Sequence, residues 1–253
     1  MVKLELIPLL NVQRELHAMP PGPARFRAYI DVMTQGQEDI AVPLAQMNPM
    51  GKDHVAALID KLIAMNTEEA VTAVFAEVQQ RLPHVDAGLG VGLVLVDDLA
   101  GSWTNSYLTD ATERFEGDYI LKNNWSLVNV WTSQAWDIAK LQRETLASVY
   151  RSLYKQRYGL PETLYEMMRQ EGLVARFAGE VLSFSEEELS YSQDIIASHK
   201  YTAHHPTAFA CLYGDEGALA AGYPTLGLQA RAGFEVALAE ALTDARTPEQ
   251  YLG

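Results

Sequence analysis

The chain has 253 residues, 48% of them hydrophobic, enough to bury a substantial core in one large domain or two small ones. Its 33 Asp and Glu against 19 Lys and Arg leave a formal charge of -14. Affinity for nucleic acid comes mostly from phosphate neutralisation by Lys and Arg, so this acidic balance, without a basic run, argues against DNA, RNA and anionic membranes as partners.

Cys211 is the single cysteine, so no intrachain disulfide can form, which fits a reducing compartment. The opening Met1 to Pro8 carries charge and a proline inside a short apolar run and has no cleavage-site pattern, so no signal peptide is read. Nowhere do about 18 apolar residues follow one another, so no membrane span is expected and the expected location is cytoplasmic.

In chain order, a short helix is predicted over Asn11 to Met19, ended by Pro20-Pro21-Gly22-Pro23. Phe26, Ala28, Ile30 and Val32 then alternate with Arg25, Arg27, Tyr29 and Asp31, the period-two signature of a half-buried strand. Ile40, Val42 and Leu44 repeat it after Thr34-Gln35-Gly36-Gln37, which predicts an antiparallel hairpin with the Pro43 strand at an edge. Two helices follow, the first from about Met50 with Val55, Leu58, Ile59, Leu62 and Ile63 on one face. The second has Asn66 and Glu69 at N-terminal cap spacing and a stripe of Val71, Val74, Phe75, Val78 and Leu82.

Leu93 to Val96 is unbroken and apolar and stops at Asp97 and Asp98. It reads as a strand buried on both faces, with the preceding glycines as a tight turn into it. A helix is predicted over Tyr107 to Phe115 and a second strand over Trp125 to Trp131, parallel to the first if the segment between them is a crossover. The second half reads as helical: one helix lined by Leu146, Val149, Tyr150 and Leu153 and stopping near Gly159, another opened by Pro161 and running to Gly172. A third starts at Ser185, which has capping-box spacing to Glu188, and carries Leu189, Ser192, Ile196 and His199 on one face. The last two are a short helix from His205 to Tyr213 and a strong one from about Ala230 to Asp244.

The expected fold is therefore α/β or α+β, helix-rich, with a small mixed sheet built from the N-terminal hairpin and the two central strands, and a largely helical C-terminal half. Residues 1–253 are expected to form a single compact domain with a soft division near residue 135.

Familiar motifs are absent. Gly88-x-Gly90-x-Gly92 precedes a strand, whereas a dinucleotide fingerprint follows one and opens a helix. Asp98-Leu99-Ala100-Gly101 has the form of a GTPase switch, but no phosphate-binding Gly-x-x-x-x-Gly-Lys-Ser/Thr loop accompanies it. His-Glu-x-x-His, Gly-x-Ser-x-Gly and Cys-x-x-Cys do not occur. Cys211 reads as a buried thiol, and Tyr150, Tyr154 and Tyr158 as helix packing.

The best candidate site is the carboxyl end of the central strand, where open α/β sheets hold ligands. Asp97 and Asp98 are the candidate catalytic carboxylates, acting as acid or base or through a divalent metal. Trp103, Thr104, Asn105, Thr132 and Ser133 are the ligand-binding candidates around them. The structural alternative is that these residues cap the next helix and satisfy loop amides. His199, His204 and His205 form the only histidine cluster and are the candidate metal ligands, with a structural role as the plainer alternative. The preferred function is a small-molecule enzyme, of the metal-assisted hydrolase kind. The alternative is a non-catalytic binding or assembly protein using its helical half as an interface, and a homo-oligomer is left open.

Overall fold

A computed structural model describes residues 1–99 and 104–253. In chain order it contains β1 (Lys3–Ile7), α1 (Leu9–Ala18), α2 (Pro23–Thr34), α3 (Asp53–Ala64), α4 (Thr67–Arg81), β2 (Gly88–Val96), α5 (Ser106–Phe115) and α6 (Asp118–Lys122). These are followed by β3 (Trp125–Trp131), α7 (Ile138–Tyr158), α8 (Leu164–Ala178), α9 (Glu186–Ala197), α10 (His205–Ala220), α11 (Ala232–Thr243) and α12 (Pro248–Leu252). The fold is α/β and helix-rich. The chain divides into two compact units, one of Met1–Ser106 with Asp118–Ser152, the other of Tyr107–Gly117 with Leu153–Gly253.

The first unit holds a three-stranded sheet, order β1-β2-β3, all parallel. Parallel neighbours need crossovers, and the helices between the strands supply them. Leu93, Val94, Leu95 and Val96 are at most 1% exposed. Residues of both parities are buried, so both faces of β2 are covered, as its unbroken apolar run predicts. Burial of each such side chain stabilises by roughly 1.5–3 kcal/mol.

The glycines ahead of that run lie inside β2, a correction to the turn reading. A Cβ at Gly90 would stand 2.7 Å from Ile7 Cδ1 and one at Gly92 2.6 Å from Leu9 Cδ1, so the missing side chains admit the close approach of β1 and α1. β1 ends at Ile7, opposite Gly92, and leaves later β2 groups without a ladder partner on that side. Buried Gln13 of α1 takes over: its amide donates to Leu93 O at 2.9 Å, and its carbonyl accepts from Leu95 N at 2.8 Å. One side chain thus continues the strand ladder and fixes α1 beside β2.

The predicted N-terminal hairpin is not formed. Residues 23–34 are helix α2, and β1, not read from the sequence, provides the edge strand instead. Pro23 sits in the first turn of α2, where its missing N–H and fixed φ do no harm. The buried residues are Arg25 and Tyr29, four apart on one helical face, so the apolar alternation of Phe26 to Val32 is coincidental. Residues 40–44 form a loop: Ala41 and Val42 donate to Met33 O at 2.8 and 3.0 Å, and Leu44 O accepts from the Tyr29 hydroxyl. Asn66 does not cap α4 through its side chain either; it stands in the left-handed region at φ 51.

In the second unit, capping boxes at Thr163/Glu166 and Ser185/Glu188 start α8 and α9. Helix α8 starts at Leu164 and passes through Gly172 to Ala178, so the glycine is a packing position and not a stop. A Cβ there would lie 2.2 Å from Ala237 O, which shows how closely α8 and α11 cross. Partly buried Arg114 of α5 donates to Asp110 at 2.7 Å and to Glu171 of α8, and the Tyr213 hydroxyl joins through Asp110 at 2.7 Å. Among the described residues no helix is long and apolar enough to cross a membrane.

A candidate acid–base site at the carboxyl edge of the sheet

The strand pairing brings the ends of β2 and β3 to one edge of the first unit's sheet. Thr132 N donates to Val96 O at 3.1 Å, extending the β2–β3 ladder one residue beyond β3. That places Thr132 beside both acids. Its hydroxyl lies 3.0 Å from Asp97 Oδ1 and 3.1 Å from Asp98 Oδ1 and accepts from Asp98 N at 3.1 Å. One hydroxyl proton can serve only one carboxylate at a time. Neighbouring side chains face opposite ways only inside a regular strand. Both lie past the end of β2, and both reach the same hydroxyl.

Asp98 is taken up by Ser133, whose N–H donates to Oδ1 at 2.9 Å and whose hydroxyl donates to Oδ2 at 2.7 Å. Asp97 differs. It is 4% exposed and faces the loop before α3 and the first turn of that helix. Asn48 Nδ2 donates to its Oδ2 at 3.3 Å, and His54 Nε2 lies 2.9 Å from its Oδ1. Burial pushes the Asp97 carboxyl up. The hydrogen bonds of His54 and Thr132, the His54 charge and the Leu99 amide outweigh it, leaving Asp97 below the usual carboxylate range.

His54 is held by a chain of local contacts. Asn48 closes a tight turn, its Oδ1 accepting from Met50 N at 2.9 Å and its carbonyl from Gly51 N at 3.1 Å. Buried Arg25 of α2 clamps that turn by donating to Pro49 O at 3.3 Å and Gly51 O at 3.0 Å. Gly51 has no room for a side chain: a Cβ would meet Val55 Cγ2 at 2.8 Å and His17 Cε1 at 3.2 Å. The helix that begins at Asp53 therefore presents His54 to Asp97 from a fixed origin, while the His54 side chain stays 37% exposed.

Behind this turn lies His17, on the last turn of α1 and 7% exposed. Arg25 Nη1 is 3.3 Å from its Nδ1. A guanidinium only donates, so neutral His17 must carry its proton on Nε2, a buried atom without a hydrogen-bond partner. Burial first, and then the charge of Arg25, lower its pKa to about 4. The charges of Asp97 and His54 also act on it, which ties it electrostatically to the same cluster.

Thr104 and Asn105 occupy the coil just before α5, both partly buried, and Trp103 lies outside the described residues. The histidine cluster does not converge. His199 stands beyond the end of α9, His204 Nδ1 is paired with the Thr207 hydroxyl at 2.9 Å, and His205 packs against Phe209 and Tyr223. Among the described residues no group of three or more His, Cys, Asp or Glu is placed to hold a metal ion. Sequence reasoning missed His54, Asn48, His17 and Arg25, and Arg25 was placed on a strand. The one available signal was the Asn48-Pro49-Met50-Gly51 turn immediately ahead of a helix start.

Comparisons with protein-family models, curated proteins and solved structures give no match.

Proposed function

We propose that the protein is a small-molecule enzyme working by general acid–base catalysis, with His54 as the proton-transfer group and Asp97 as its positioning partner. The observation that carries this reading is the 2.9 Å contact between His54 Nε2 and a buried, ionised Asp97, with the imidazole still open to solvent. A carboxylate on Nε2 keeps the proton of the neutral ring there and leaves Nδ1 as the base. Once Nδ1 takes a proton, the Asp97 charge stabilises the imidazolium. Water activated in this way suits hydrolysis of a small ester or amide, the reaction class that the carboxylate rim first suggested. A metal held by the two acids is the weaker reading, because His54, Asn48, Thr132 and Ser133 already occupy their oxygens.

The test is a panel of small carboxyl esters, thioesters and phosphate esters, comparing the wild type with His54→Gln. The expected result is turnover of at least one substrate, with a loss of about 100-fold or more in the variant. Wild-type rates in His54→Gln on every substrate the parent accepts would overturn the assignment.

A further inference from the structure

The second unit carries a cavity of about 410 Å³ between α8, α11 and the C-terminal segment, in the size range of small-metabolite pockets. Arg169, Arg246 and Tyr251 provide its polar side, and Met168, Leu173 and Ala237, each 2% exposed, lie beneath it. We infer that this cavity binds a small organic monocarboxylate, with its anion on the Arg169 guanidinium.

Three observations support this assignment. First, Arg169 is a cation whose protein surroundings are phenols. It lies over the Tyr251 ring at 5.1 Å and bonds to the Tyr251 side chain, and Tyr154 and Tyr165 are the other groups acting on its charge. Among the described residues no carboxylate pairs with it, so its planar fork has donors to offer an incoming anion.

Second, the acids that line the cavity are committed elsewhere. Glu240 is paired with Lys200 at 3.1 Å. Asp244 accepts from the Tyr251 hydroxyl and from Arg246 N at 2.9 Å. They are not placed to neutralise Arg169, but they would repel a second negative charge. A monoanion therefore fits better than a phosphate dianion.

Third, the cavity is fixed by packing and does not need to form around its ligand. Gly172 lets α8 and α11 approach to backbone contact beside it, and Arg176 ties their ends together by donating to Ala241 O at 2.7 Å and Asp244 O at 3.1 Å. On the C-terminal side, Arg246 donates to the Tyr251 hydroxyl at 2.8 Å and lies 4.1 Å from its ring centre. A pre-formed wall of this kind reduces the ordering that binding requires.

The experiment titrates the full chain with phenylacetate, 3-phenylpropionate and 4-methylpentanoate, each against its neutral amide, with inorganic phosphate as a further arm. Binding is read from amide chemical shifts and calorimetry. At least one acid should bind saturably with Kd of ~1 mM or tighter, and its amide at least about tenfold more weakly. Arg169→Gln should weaken that acid by about tenfold or more while leaving the unfolding temperature nearly unchanged. The acid–amide comparison on the wild type decides the matter even if the variant proves unstable. Equal binding of acid and amide, saturation by phosphate but by none of the acids, no saturation by any probe, or unaltered affinity in a folded Arg169→Gln would each overturn the proposal.

Discussion

His54 and Asp97 are 43 residues apart in the chain and 2.9 Å apart in the fold, joined through Nε2 and Oδ1 at the carboxyl edge of a parallel sheet. The contact depends on two placements. Asp97 is fixed by the end of β2, and His54 by a turn that Arg25 holds from a different helix. Substitutions at either support should therefore reach the pair without touching it.

Asp97→Asn keeps the shape of the side chain and removes its charge. Hydrogen bonds to a charged group contribute roughly 1.5–3 kcal/mol, so a loss of about that size is expected in urea unfolding at pH 7. The Asp97 pKa is depressed below its ordinary 3.8, so its stabilisation is present above that value and is lost as pH falls through the folded-state pKa. Wild type and variant should accordingly converge in stability well below pH 3.8, and a constant difference across the acid range would contradict the assignment.

His17 adds an acid sensitivity of the same sign at higher pH. Its pKa falls from 6.5 to about 4 on folding, so between those values the unfolded chain is protonated while the native ring is neutral. Stability is unaffected above pH 6.5 and declines as pH drops toward 4. At about 1.4 kcal/mol per unit, the fall amounts to roughly 3 kcal/mol. His17→Gln retains an acceptor for Arg25 and should flatten the stability profile across that window, measured by denaturant titration at a series of pH values.

Two core substitutions test the packing of the two units separately. Leu95→Ala, at a position 1% exposed, should destabilise the first unit by about 2–5 kcal/mol. Gly172→Ala adds a single methyl where Ala237 O leaves 2.2 Å, and α8 and α11 must part to admit it. A loss of about 1–3 kcal/mol, with amide shifts confined to the second unit, is expected. A neutral Gly172→Ala would mean that the two helices do not cross so closely.

Cys211 is completely buried, and burial pushes its thiol up to about 12. Thiolate is the reactive form, so the native protein at pH 8 should resist a disulfide reagent and react at once when unfolded in guanidinium. Rapid labelling of the folded chain would show that the α10–α11 packing opens readily.

What the sequence determined by itself was carried by local periodicity and local chemistry. Leu93 to Val96 is apolar at both parities, as a short strand covered on both faces requires, and it ends in acids, so the sheet edge and its carboxylates were legible. Ser185 and Glu188 are three residues apart, and their capping box needs nothing beyond the first turn of the helix. Tertiary structure decided the rest. Arg25 to Asp31 alternates like a strand, but a strand exists only with a partner, and the edge of β2 went to Lys3–Ile7, whose pairing lies 85 residues away from Lys3 at Gly88. The same holds for the site. Thr132 meets Asp97 because β2 and β3 run side by side and parallel, and His54, Asn48 and His17 gather there because helix packing closes loops whose ends carry no local mark of one another. A hydrogen bond between distant residues forms where the backbone delivers both groups, and no residue pattern at either end encodes that delivery.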